Sequence, residues 1–330
     1  MGTHKSLKLS PSRMKDYMQC PKLYYYKYEL GLKTPATLAT LRGTLAHYVF
    51  EYLFDFRPDS RTVETAVSMV YPCISMLKNP FLPVDEISVD TIEYLFRYRE
   101  NYFEHMYAPG TDAYEAKHKE TAEICYLLAQ TDEKEFVASV EKAVQGWFAI
   151  EKPWKFEPTY RELHVGVAVG GTYVHGFVDR LDYVVDSKTG KTVVYVSDYK
   201  TGKKPSERYQ GDAFFQLAVY SVILKHMKMC QVNQIRLMYV NAEKGEISMN
   251  VDAALIAQTE TKIKTIGSAI RNSKRSGEWN TRKQVLCGWC HFKDVCPAFH
   301  KELDGLLPED IEERLGRADY LGNSGRAQDS

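Results

Sequence analysis

The sequence predicts an α/β fold, a mixed β-sheet flanked by helices, with a helical subdomain inserted ahead of the sheet. Three observations support it. Apolar residues recur near the helical period up to about residue 150, and near the strand period of 2 once Pro153 and Pro158 have passed. Three strand-like runs then follow with no helix pattern between them: "YRELHVGVAVG" (160–170), "TYVHGFVDRLDYVVD" (172–186) and "KTVVYVSDYK" (191–200). After residue 200 helical and strand patterns alternate, so the predicted order is βββαβα.

Each element has a local reason. In residues 1–60, Ser10 is a helix N-cap with Pro11 in the first helical position, and the helix carries Arg13 to Met18. Pro21 then re-aims the chain ahead of the aromatic run at 24–28, and "LRGTLAHYVFEYLFDF" places Leu45, Val49, Tyr52 and Leu53 at helical spacing. Residues 61–152 form the helical insertion, punctuated by Pro72, Pro83 and the "APGTD" turn at 108–112. Residues 153–250 hold an antiparallel meander closed by Gly170-Gly171 and "DSKTG", then a helix at 207–227 and a strand at 234–241. Residues 251–307 hold a helix (251–273) and a cysteine cluster, and 308–330, ending "GNSGRAQDS", read as a flexible tail. The whole of 1–330 reads as a single domain.

A chain of 330 residues with 44% apolar content can bury a sizeable core. Its longest apolar run, "LAVYSVIL" at 217–224, falls well short of the roughly 18 residues that span a bilayer. With no apolar leader in "MGTHKSLKLS", a cytoplasmic protein without a membrane partner is expected. Seven cysteines in such a chain argue against a disulfide framework. The net charge of zero hides segregation: residues 1–33 carry +5, 262–293 carry +7 and 85–143 carry −8. Two basic ends that met in space would make one positive surface, either a phosphate-backbone footprint or a solvated basic face.

The chemistry centres on "GFVDRLD" and "VSDYKTGKK". Asp198 and Lys200 are two apart on a strand and share a face, while Asp179 on the preceding strand approaches Asp198 near one edge of the sheet. Two carboxylates at that distance raise each other's pKa, and a divalent cation removes the conflict. Hard oxygen ligands suit Mg²⁺ or Mn²⁺, which keep open positions for water and phosphate. A lone Asp-x-Lys is also a common surface ion pair. His47 is equally readable as one half of an i,i+4 pair with Glu51, and Glu162 as a partner of the acidic site or a surface charge. Asp182 is an alternative to Asp179.

"RGTLAHYVFE", "GFVDRLD", "VSDYKTGK" and "QLAVY", in this order, resemble the RecB-like branch of the PD-(D/E)XK nucleases. The resemblance spans roughly 10–55 and 160–300 and implies a restriction-endonuclease-like fold. It implies that His47, Asp179, Asp198 and the Tyr199 carbonyl bind the metal. Lys200 would serve the attacking water, and Gln216 with Tyr220 would support the site or the DNA.

Cys287, Cys290 and Cys296 form a C-x₂-C-x₅-C cluster in "CGWCHFKDVCP", and Cys20 stands far upstream, also followed by proline. Four soft thiolates suit tetrahedral zinc or an iron–sulfur cluster, and spacing leaves both open. The split pattern is similar to that of the iron–sulfur nucleases of the same branch, the CRISPR-associated adaptation nucleases and the AddB-type subunits. That resemblance implies a [4Fe–4S] cluster stapling the N- and C-terminal segments. Cys73, Cys125 and Cys230 read as inert buried thiols, and His291 as a packing or solvated residue.

The expected function is therefore a Mg²⁺- or Mn²⁺-dependent DNA exonuclease preferring single strands, acting in recombination, repair, replication or spacer acquisition. Tyr24, in the aromatic run, would offer a stacking platform, and Lys203 and Lys204 a basic turn for the DNA backbone. No GxxxxGK[ST] motif is present, so unwinding would require a partner helicase. The alternatives are a non-catalytic DNA-binding or recombination partner with the same fold, and a zinc-stapled nuclease.

Overall fold

The computed structural model describes residues 7–78, 110–303, 305, 309–311 and 313–315. The expectations at Pro83, at the start of the 108–112 turn and for the end of the tail lie outside the described residues. Ten α-helices are described: α1 (Pro11–Gln19), α2 (Pro21–Tyr24), α3 (Leu38–Tyr52), α4 (Val63–Ser68), α5 (Val70–Lys78), α6 (Asp112–Ala129), α7 (Glu133–Ile150), α8 (Gln210–Ala213), α9 (Phe215–His226) and α10 (Ala253–Ser276). The strands are β1 (Leu7–Leu9), β2 (Tyr160–Val169), β3 (Thr172–Val185), β4 (Thr192–Lys200), β5 (Gln234–Tyr239) and β6 (Glu246–Asn250).

They form one mixed six-stranded sheet in the order β1-β3-β4-β5-β6, with β2 beside β3. β3 and β4 are antiparallel, with Arg180 opposite Ser197 and Val185 opposite Thr192. Their hairpin is fixed by Asp186, whose carboxylate accepts the N–H groups of Lys188 and Thr189 at 2.7 and 3.1 Å. Gly190 takes the left-handed conformation, φ +67°, that closes the turn. β5 runs parallel to β4, so the chain must cross over, and α9 lies in that crossover.

The chain divides into two compact units. The first comprises Met1–Thr34, Gly166–Gly176 and Ala254–Ser330. Here Ser10 caps α1 as expected, accepting the Arg13 N–H at 3.2 Å, and Cys20, in extended conformation, separates α1 from α2. The Lys22 N–H donates to the Asn280 carbonyl (3.2 Å), Gln284 Nε2 to the Gln19 carbonyl (2.7 Å), and Lys274 pairs with Glu29 (2.9 Å). The two basic segments of the sequence thus meet in this unit. Tyr26, Leu32, Phe292 and Val295 form a small buried core beneath them.

The second unit comprises Pro35–Val165 and Phe177–Ala253. Its core gathers Leu45, Val49 and Phe50 of α3, Trp147 of α7 and Tyr199 of β4, so the helices of the insertion pack into the same core as the sheet. α9 is apolar on nearly every face and correspondingly buried from Leu217 to Leu224.

Four expectations need correction. The flexible tail expected from residue 308 is helical at 309–311 and 313–315, where Ile311 and Leu315 join the small buried core of Tyr26 and Phe292. β1 and β6 were not foreseen; β1 has three residues and β6 ("EISMN") alternates without one buried position, so neither leaves a strong hydrophobic signal. The helix expected at 207–227 is broken into a 3₁₀ turn (Glu207–Tyr209), α8 and α9, with the break at Phe214, where ψ is −9°. Asp179 and Asp198 do not lie at a sheet edge. They sit on the interior strands β3 and β4, at the end of the ladder between them.

Candidate active site

One register step beyond Arg180 and Ser197 sets Asp179 opposite Asp198, and here the backbone ladder gives way to side chains. The Tyr199 N–H donates to Asp179 Oδ2 at 3.1 Å. Strand alternation sends Asp198 and Lys200 to one face, where Lys200 Nζ lies 2.6 Å from Asp198 Oδ2. Gln216 Nε2, on the first turn of α9, donates to Asp198 Oδ1 at 3.2 Å, and Tyr220, one turn on, sits 3.4 Å from the same nitrogen. α3 brings in His47, whose Nε2–H donates to the Tyr199 carbonyl at 2.9 Å while Nδ1 faces Asp179 at 3.4 Å and Glu162 at 3.9 Å.

All seven residues assigned to the site by sequence, His47, Asp179, Asp198, Tyr199, Lys200, Gln216 and Tyr220, are therefore brought together. Glu162, which the sequence left open, joins them. Among the described residues, one ligand atom each from His47, Glu162 and Asp179 lies within 4.8 Å of the other two. Glu162 has φ +44° within β2, a left-handed kink that non-glycine residues adopt at a cost. Simple alternation cannot foresee where such a residue aims its side chain.

The electrostatics show why this centre suits a cation. Burial first, and the Asp198 carboxylate second, push Asp179 up to about 7. Burial works to lower His47, but Asp179, Glu162 and Asp198 outweigh it and raise the imidazole to about 9. The imidazolium thus faces the Asp179 and Glu162 carboxylates and offsets part of their charge. Burial opposes the charge on Lys200 too, yet Asp198 and Asp179 raise its pKa, so it stays an ammonium. Glu51, one turn beyond His47, is lifted to about 8 by burial and by Glu162.

The opposite face of the same strands is occupied by a separate network. Arg180, nearly fully buried, donates to Glu151 through two nitrogens at 2.7 Å each and to Asp182 at 2.9 Å, and it also reaches the Tyr199 hydroxyl. Arg236 donates to Asp182 at 3.1 Å. Asp182 is thus committed to two arginines and is excluded as the alternative to Asp179.

The model of the PD-(D/E)XK nuclease superfamily matches residues 8–297. The chain belongs to the PD-(D/E)XK nuclease superfamily. Among solved structures, the crystal structure of a "Putative exonuclease" from Eubacterium rectale is similar, with a TM-score of 0.43 and 12% identity over 92% of this chain and 90% of that one. No curated protein matches.

In the first unit of this PD-(D/E)XK nuclease, Cys20, Cys287, Cys290 and Cys296 line a common cleft. Burial first, with help from the neighbouring thiols, sets the Cys290 and Cys296 thiols above their ordinary range, against a backbone hydrogen bond to each that lowers it. The residues expected to touch DNA fare differently. Lys203 is exposed, whereas Lys204 Nζ donates to the Lys244 carbonyl at 2.5 Å. Tyr24 must be withdrawn as a stacking platform. It is 1% exposed, and its ring lies nearly parallel to Trp279, 14° between planes and 5.7 Å between centroids. No helix among the described residues is long and apolar enough to cross a membrane.

Proposed function

We propose that this PD-(D/E)XK nuclease is a Mg²⁺- or Mn²⁺-dependent DNA exonuclease acting on single strands. The observation that carries the reading is the convergence of His47, Glu162 and Asp179 within 4.8 Å, beside the Asp198–Lys200 pair at 2.6 Å. Their donor set, carboxylates with one imidazole and the Tyr199 carbonyl, fits a hard divalent ion. So does the Asp179 carboxyl, which burial first and the Asp198 carboxylate second hold at about 7. A bound ion supplies Lewis-acid stabilisation of phosphate charge and acidifies a water.

The remaining roles belong to side chains. Gln216 fixes the Asp198 carboxylate, and Asp198 in turn fixes Lys200. Lys200, 2.6 Å from Asp198 Oδ2, is placed to orient the attacking water and to stabilise charge on the phosphorane. The single-strand preference, the exonuclease mode and a role in recombination, repair, replication or spacer acquisition beside a helicase rest on the sequence motifs.

The same proposal assigns Cys20, Cys287, Cys290 and Cys296 to a [4Fe–4S] cluster. In support, the four cysteines line one cleft of the first unit, and four soft thiolates suit such a cluster.

Anaerobically purified protein, Mn²⁺ and labelled linear single-stranded DNA test both parts. Expected are degradation that spares a circular strand, a loss of about a hundredfold or more in Asp198→Ala and Lys200→Ala, and iron that is lost in Cys20→Ser. No degradation by the wild-type protein, or degradation unchanged in both variants, rejects catalysis in favour of the DNA-binding reading. Zinc without iron rejects the cluster.

A further inference from the structure

With Tyr24 buried, the aromatic surface of the first unit lies elsewhere. The 3₁₀ turn Val285–Trp289 exposes three large apolar side chains, Val285 at 80%, Leu286 at 48% and Trp289 at 78%. Leu286 and Trp289 are three apart, which in a 3₁₀ turn puts them on one side. An apolar cluster so exposed calls for an occupant. The turn is firmly mounted: Arg282 and Gln284 donate to the carbonyls of Met18 and Gln19, and Phe292 and Val295 are buried just beyond it.

Its charge tells what that occupant is. Residues 262–294 carry eight Lys/Arg, Arg282, Lys283 and Lys293 among them, against Glu278 and Asp294. Both ammonium groups, Lys283 at 4.8 Å and Lys293 at 5.8 Å, lie over the ring of Phe299, itself 39% exposed. Two like charges over one exposed ring, in the segment that also carries the exposed indole, match alternating phosphates and base faces.

We infer that Trp289, with Phe299, Lys283 and Lys293, forms a stacking and phosphate-binding surface for a single-stranded nucleic acid. This rests on the nuclease reading and adds to it a site of DNA contact outside the acidic centre.

The test is the Kd of the full chain for a fluorescent oligothymidine in EDTA, where nothing is cut, alongside Mn²⁺-dependent cleavage by the wild-type protein. Trp289→Ala is expected to weaken binding about tenfold, Trp289→Phe to restore most of it, and Lys283→Ala with Lys293→Ala to flatten the salt dependence by about 0.7 per lysine. Trp289 is exposed, so circular dichroism and melting should match wild type. Wild-type cleavage with an unchanged Kd in Trp289→Ala overturns this surface alone and leaves a protein as the occupant of the patch. Absence of both binding and cleavage in the wild type overturns the nuclease reading and this inference with it.

Discussion

Glu162 is the residue that best separates what a linear pattern carries from what packing decides. The sequence named a carboxylate near the sheet but could not give it a role, because φ +44° breaks the alternation by which strand residues are assigned to faces. Folding turns that carboxylate to within 3.9 Å of His47 Nδ1. If it is a ligand, Glu162→Gln should weaken Mn²⁺ binding, read by calorimetry or by electron paramagnetic resonance, by about ten- to a hundredfold, with the fold intact. Unchanged Mn²⁺ affinity would relegate Glu162 to holding His47. The other site residues were legible because their chemistry is written in short-range spacing, Asp198 two from Lys200 and Gln216 four from Tyr220. Tyr24 misled for the opposite reason: nothing in a run of tyrosines reveals that Trp279, more than 250 residues on, covers the ring.

At the level of elements, the strong periodicities were read correctly: α3, β3, β4 and α10 all lie close to where the sequence put them. Short edge strands and close approaches between elements were not visible, since both depend on partners distant in sequence. Gly146 in α7 shows the second kind. A Cβ there would lie 1.9 Å from the Val240 carbonyl oxygen, just past the end of β5, so the helix needs a bare Cα to reach the sheet. In an exposed helix, Gly→Ala stabilises by about 1 kcal/mol. Here the contact is with backbone, which cannot swing aside, so overpacking should win. Gly146→Ala is expected to destabilise by about 1–3 kcal/mol in chemical unfolding. A neutral or stabilising result would mean that α7 can slide away from β5 without loss.

Over the whole molecule, the metal binding proposed for the acidic centre would couple to folding through protons. Asp179 has a folded pKa of about 7 against an ordinary 3.8. Between those values the native state holds a proton that the unfolded chain has released, so stability falls as pH rises through that window. His47, raised from 6.5 to about 9, stabilises the fold below its unfolded pKa, and that contribution disappears as pH rises through 9. Both groups therefore make the metal-free protein less stable from about pH 4 to 9. A cation reverses the balance, because it needs Asp179 ionised and His47 neutral, and its affinity should climb with pH by up to about tenfold per unit for each proton displaced. Melting curves with and without Mn²⁺ should thus diverge as pH increases, the metal-free Tm falling while the stabilisation by Mn²⁺ grows. His47→Ala should shrink that divergence above about pH 7, where the imidazolium is the last proton to leave. A Mn²⁺ effect on Tm that stays constant from pH 6 to 9 would show that the ion does not displace these protons, and so binds away from His47 and Asp179.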